Sequence, residues 1–276
     1  MGTVYKARDT QLERFVALKL LRNDLSTEAD HDAQLQQEAR VAASVNHPNV
    51  VQIFSLGMDH GQFYVVMEFI DHGSLDDLIE SQGRLPEYQV LDIGVQIARG
   101  LRAAHRKGLI HRDVKPANIL FVDEQAAKIG DFGLAAFATH QAQHADGDRV
   151  IWGTPAYVAP ERLCSQPEDI RSDIYSLGAT LFHAIAGKAP IDTDTTSATE
   201  LRELKQHPAA LRRIAPDVST PTARVLQRMI APHPEQRFPF YDDLLAELDA
   251  ARRALEIAEA RRQSSCWSFS GLFRRD

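Results

Sequence analysis

The pattern of apolar residues changes period at Asp71-His72-Gly73-Ser74, and that change limits the chain to a two-part architecture. Before it come short runs rich in β-formers: Val4-Tyr5-Lys6, Phe15 to Leu21, Val50-Val51-Gln52-Ile53-Phe54 and Phe63-Tyr64-Val65-Val66-Met67. One helix interrupts them, with Ser26 and Thr27 as N-caps and Leu35, Glu38, Ala39 and Ala42 along it. After the change, helical spacing takes over. Val90, Ile93, Ile97, Leu101 and Ala104 predict a helix that stops at Lys107-Gly108. Ile174, Leu177, Leu181 and Ile185 predict a second, ended by Gly187, and Leu244, Leu248, Ala251 and Leu255 a third. The expected fold class is α+β and bilobal. A small antiparallel sheet occupies residues 1–69, a helical lobe 70–251, and a helix end with an aromatic, basic tail 252–276.

Charge and cysteine content narrow the function classes. The net charge of −7 argues against general nucleic-acid binding. Cys164 and Cys266 give neither a disulfide framework nor metal-ligand spacing, which fits a reducing compartment. No apolar run is long enough to span a bilayer, and the first residues lack the basic-then-apolar order of a signal peptide, so a cytoplasmic location is expected.

The chemistry concentrates in His111-Arg112-Asp113-Val114-Lys115-Pro116-Ala117-Asn118 and, shortly after, Asp131-Phe132-Gly133. Asp113 can accept a hydroxyl proton, and Lys115 can neutralise charge on a group in transfer. Asn118 and Asp131 offer hard oxygen donors of the kind magnesium takes. Phosphoryl transfer needs that set. In order and spacing the two stretches resemble a Ser/Thr protein kinase of the eukaryotic-like (Hanks-type) kind found in bacteria. The resemblance covers nearly all of residues 2–250. It implies ATP with Mg2+ (or Mn2+) as cofactor, and protein substrates bearing Ser or Thr acceptors.

The resemblance also assigns roles residue by residue. Lys19, closing Val16-Ala17-Leu18-Lys19, contacts the α- and β-phosphates, and Glu38 holds Lys19 by an ion pair; alone, such a lysine reads as a solvated strand end. Met67 takes the gatekeeper position, the backbone of Glu68 and Ile70 reaches the adenine edge, and Val4, Ala17 and Leu120 pack on the adenine faces. His111 and Phe132 are structural, stacking with Ala42 and Ile53 to couple the lobes. Thr154, in Gly153-Thr154-Pro155-Ala156-Tyr157-Val158-Ala159-Pro160-Glu161, bonds toward Asp113 and Lys115. Glu161 pairs with a buried Arg237, and Asp173 anchors the backbone of the catalytic loop. Lys115-Pro116 argues against a tyrosine kinase, and Ala159-Pro160-Glu161 against a small-molecule kinase.

Two departures stand out. Of the glycine-rich loop G-x-G-x-x-G-x-V only the last glycine is present, as Gly2 before Val4. Its backbone N–H groups normally meet the phosphates, so Met1 is expected to be an internal methionine. Were Met1 the true start, a weakly active or binding-only pseudokinase would be the alternative. The second departure is Asp146 and Asp148, at places where bacterial relatives often carry phosphorylatable threonines. They either replace part of a phosphate's charge opposite Arg112 or form a solvated acidic loop. The tail from Ser264 is expected to be disordered, although Trp267, Phe269, Leu272 and Phe273 make it more apolar than most.

Overall fold

The computed structural model describes residues 3–21, 37–60, 62–132, 155–164, 166–191, 193 and 195–270, with side chains as far as 262. Strands β1 (Val4–Asp9), β2 (Arg14–Leu20), β3 (Ile53–Asp59) and β4 (Gln62–Glu68) form one antiparallel sheet in the order β1-β2-β4-β3. β4 alternates strictly: Phe63, Val65 and Met67 point inward and their neighbours outward. β1 is an edge strand, and its Val4 and Tyr5 are exposed.

The described part of the first helix, residues 37–43 (α1), buries Ala39 and Ala42. The strand expected over Val50-Phe54 begins later, at Ile53, and runs on to Asp59. Val50 and Val51 are diverted to the other lobe, where Val50 bridges Ile129 and the Val51 N–H donates to the Ile129 carbonyl at 3.0 Å. The run is apolar on both faces because it is buried between lobes, not because it lies in the sheet.

The second lobe opens at Ser74, which caps α2 (Leu75–Gln82) in a reciprocal box with Asp77. Then follow α3 (Glu87–His105), the hairpin of β5 (Ile119–Phe121) and β6 (Ala127–Ile129), α4 (Pro160–Leu163) and α5 (Ile170–Ala186). The remaining helices are α6 (Ala198–Lys205), α7 (Leu211–Ile214), α8 (Thr220–Met229) and α9 (Tyr241–Ser270). α5 is buried nearly all round, its buried polar groups Ser172, Asp173, Ser176 and Thr180 each hydrogen-bonded, and other helices pack about it. Asp169 caps its start, and Gly187 ends it at φ +74°, a left-handed conformation that glycine adopts without strain. α9 passes position 252 unbroken and stays helical to Ser270, so the chain from Ser264 to Ser270 is helix and not the disordered tail expected. None of the described helices is long and apolar enough to cross a membrane.

One hydrophobic cluster joins Ala42, Val45 and Val50 of the first lobe to Leu101, Ile119 and Ile129 of the second. Asn49 reinforces that seam. Its carbonyl accepts the Ile129 N–H at 3.0 Å, and its side-chain amide donates to the Ala127 carbonyl at 2.8 Å and to Gln96 at 3.1 Å.

Candidate active site

The loop carrying Asp113 is held from below by α5. Asp173, 2 % exposed, accepts the N–H groups of His111 and Arg112, each at 2.8 Å. Burial pushes its carboxyl above the ordinary aspartate value, against the pull of those two amides and the Arg112 charge. Arg112 sits at φ +67°, a strained conformation for a side-chain-bearing residue that the two bonds to Asp173 enforce. His111 is fully buried with both ring nitrogens engaged. Nε2 lies 2.8 Å from the Gly130 carbonyl and must carry the proton, while Nδ1 accepts the Asp113 N–H at 3.2 Å. Its ring meets Phe132 edge-on at 4.5 Å. No nitrogen is left for acid–base work, so His111 orients Asp113 and Phe132.

Asp113 is presented by a short network. One of its carboxylate oxygens takes bonds from Lys115 Nζ at 2.8 Å and from the Asn118 amide at 3.0 Å. The same amide donates to the Asp113 carbonyl at 2.8 Å, so the Asn118 oxygen faces away from Asp113. Asp131, at φ +62°, is the second residue of the site in a strained backbone conformation. Its Oδ2 lies 2.8 Å from Lys19 Nζ.

In this structure that contact stands in place of the expected Lys19–Glu38 ion pair. Lys19 pairs with Asp131, and Glu38 turns to the Arg112 guanidinium at 3.9 Å. The other Glu38 oxygen is buried with no hydrogen-bond partner among the described residues. Arg112 also meets Glu168 at 3.9 Å, and Glu168 in turn meets Arg162 at 3.7 Å. Burial pushes the Glu168 carboxyl up, while the two arginines pull it down. Arg162 additionally donates to the Arg112 carbonyl. Lys19 takes the anion within its reach, and the distance of Glu38 depends on where α1 sits. Asp146, Asp148 and Thr154 lie outside the described residues.

Above the loop, Ala17 and Met67 form a small buried cluster with Val51, and Ile70 and Leu120 pack against it. Such an apolar floor suits a flat aromatic base. Val4 lies outside that cluster, 54 % exposed, opposite Lys19 in the β1–β2 register. The Glu68 side chain is engaged elsewhere: both its oxygens lie 2.7 Å from Lys128 Nζ on β6, and its N–H donates to the Gln52 carbonyl. The donors suit magnesium in kind. The Asn118 oxygen accepts no hydrogen bond among the described residues, and Asp131 supplies a carboxylate. Two protein oxygens are what a magnesium site needs when substrate phosphates and water complete it. No group of three or more His, Cys, Asp or Glu gathers among the described residues.

Further down, Glu161 and Arg237 meet through two bonds of 2.7 and 2.9 Å, and Ser172 donates to the same carboxylate at 2.7 Å. Burial alone would raise Glu161, but the Arg237 bonds and charge hold it below the ordinary value. Four charged participants carry no motif to reveal them: Glu168, Arg162, Lys128 and the buried Lys205. Only their tertiary placement marks them out.

A sheet lobe over a helical lobe, with paired carboxylates and lysines at the seam, defines a phosphotransferase architecture. The chain belongs to the protein kinase domain family, which it matches over residues 1–247, and within it to the bacterial Ser/Thr branch. It is 33 % identical over 247 residues to a probable serine/threonine-protein kinase of Clostridium acetobutylicum, covering 90 % of this chain and 37 % of that one. With the serine/threonine-protein kinase PrkC of Bacillus subtilis it shares 31 % identity, covering 95 % of this chain and 40 % of the other. The chain thus spans well under half the length of these curated relatives. Among solved structures, the Mycobacterium tuberculosis PknI kinase domain superposes with a TM-score of 0.71 at 26 % identity, over 91 % of this chain and 91 % of that one.

Proposed function

We propose that this protein transfers the γ-phosphoryl group of ATP to Ser or Thr hydroxyls of protein substrates, in the cytoplasm where ATP is supplied. The observation that carries the reading is the Asp113–Lys115–Asn118 network, held rigidly on Asp173 beside Asp131 and Lys19. Asp113 orients the acceptor hydroxyl and takes its proton. Lys115, already 2.8 Å from that carboxylate, meets the charge that builds on the phosphoryl oxygens. Asn118 and Asp131 hold Mg2+, which neutralises phosphate charge when bound. Lys19 leaves Asp131 for the nucleotide's phosphates, and Glu38 leaves Arg112 to steady Lys19. Ala17, Leu120 and the backbone of Glu68 and Ile70 cradle the base, with Val4 as its outer cover. The division at residue 70, between the sheet lobe and the helical lobe, is the proposed hinge.

The test is Mg-ATP-dependent incorporation of phosphate into Ser and Thr of a generic basic protein, with Asp113→Asn as the blank. Wild-type incorporation is expected to exceed the blank by about 100-fold or more, the scale of a lost positioned base. Equal incorporation by both would overturn the role of Asp113. Nucleotide binding with no transfer by either would favour the binding-only reading.

A further inference from the structure

Lys205, the last residue of α6, is fully buried, and the phosphotransfer site makes no use of it. Its Nζ lies 3.2 Å from the Ala156 carbonyl and 3.5 Å from the Tyr175 hydroxyl, and 5.2 Å from the centre of the Tyr175 ring. Glu161, the acid whose charge reaches it, is already bound to Arg237, so the two opposite charges largely cancel at Lys205. Among the described residues Lys205 has no carboxylate of its own; an ammonium so buried is unfavourable, and an apolar residue of the same length would sit there more comfortably.

What Lys205 holds is informative. Ala156 is the middle of the 3-10 turn Pro155–Tyr157, two residues beyond Thr154. The stretch from this turn to α4 is tied down at three places. Tyr157 bonds His183 on α5 at 2.7 Å, Arg162 bonds the carbonyl of Arg112 next to Asp113, and Lys205 takes the Ala156 carbonyl. The Arg162 bond sets this stretch against the loop that presents Asp113, where the acceptor hydroxyl must arrive.

We propose that Lys205 is a positioning residue for the polypeptide acceptor: its ammonium fixes the Ala156 carbonyl and thereby the shape of the turn against which the acceptor chain lies. The inference rests on the Ser/Thr kinase reading of the site. Among the described residues, the groups around Lys205 are Tyr175 on α5, Glu161 on α4, Arg237 beyond α8, and the Ala156 carbonyl of the turn, next to Tyr157. Burial, with a smaller contribution from Arg237 opposed by Glu161, pushes the amine down to about 7. Below that pH the tie to Ala156 is charge-assisted; above it the amine is neutral and holds the carbonyl less strongly. The two tyrosines stay protonated throughout, since burial pushes both hydroxyls upward.

The experiment compares wild type, Lys205→Met and Lys205→Arg from about pH 6 to 8.5, a range that brackets the lysine's transition. For wild type, the KM for a protein substrate is expected to rise about fivefold across that range, the scale of weakening one charged hydrogen bond, while the KM for ATP follows a different, flatter course. Lys205→Met should show the high KM at every pH yet melt at the same temperature or higher, because a stranded charge is gone. Lys205→Arg should keep the low KM at every pH. A methionine variant with the wild-type profile, or parallel shifts in both KM values, would overturn the proposal. Hydrogen-exchange protection of the Ala156, Tyr157 and Val158 amides, followed over the same range, requires no turnover. Protection that falls above pH 7 in wild type but is low and flat in Lys205→Met supports the tie; unchanged protection overturns it. If wild type transfers no phosphate, the kinase reading fails, and the exchange data still decide whether Lys205 governs the turn.

Discussion

Arg237 is 1 % exposed, yet each of its five N–H donors has an acceptor. Two bonds reach Glu161, and the others reach the carbonyls of Ala231, Arg171 and Pro232. Removing one side of such a pair strands the other charge, so Arg237→Met should destabilise the protein by about 3–5 kcal/mol in denaturant or thermal unfolding. The sign of the pH dependence follows from Glu161, whose folded pKa is depressed. Its contribution is complete above the ordinary glutamate value of 4.5 and is lost as pH falls through the lower folded value. The stability gap between wild type and Arg237→Met should therefore be widest near neutrality and shrink in acid. A gap that widens in acid would contradict it. At this scale the sequence is informative wherever a residue type sits in a dense motif, as Asp113, Asn118 and Asp173 do. Glu168 and Lys205 stand in no pattern, and only folding brings them to Arg112 and Ala156.

Secondary-structure elements are readable where one face is buried. α3 and α5 show their full helical spacing, with Gly108 and Gly187 as stops. Val50-Val51 misleads because interlobe burial and strand burial leave the same apolar trace. The Lys19–Glu38 pair shows a second limit. Nineteen residues of spacing place the glutamate on the right helix, but the partner that Lys19 takes depends on the helix's position, which spacing does not encode. Glu38 in this arrangement contributes little to stability, since its contact with Arg112 is long and partly solvated. Glu38→Ala should change stability by no more than about 1 kcal/mol. Phosphate transfer should nonetheless fall by more than about tenfold, because the variant cannot hold Lys19 once that lysine leaves Asp131. Melting and turnover measured on one preparation separate the two effects. Unchanged turnover would mean that Lys19 never needs Glu38.

For the whole molecule, the bilobal plan is legible and the fastening between lobes is not. Asn49 is an ordinary polar residue in a loop, yet its carbonyl and amide reach Ile129, Ala127 and Gln96 across the seam. Gly100 on α3 makes room for it: a Cβ there would come 2.6 Å from the Asn49 carbonyl oxygen. An exposed helical Gly→Ala change normally stabilises by about 0.5–1 kcal/mol. Here the backbone of the other lobe would have to move, so Gly100→Ala is expected to lower stability by about 1–3 kcal/mol. It should also perturb the site, because Ile129 precedes Asp131 by two residues. A raised melting temperature with normal turnover would show that the seam is slack.

At rest the catalytic charges neutralise one another: Lys19 is matched to Asp131, Lys115 to Asp113, and Arg112 to Glu38 and Glu168. A ligand bearing only negative charge would draw Lys19 away and strand Asp131, while a bare cation would draw Asp131 away and strand Lys19. Arrivals of both signs together compensate both residues, without calling on Glu38 to leave Arg112. On the proposed kinase reading, nucleotide and metal are therefore expected to raise each other's affinity by the same factor, which titrating each in the presence and absence of the other would measure.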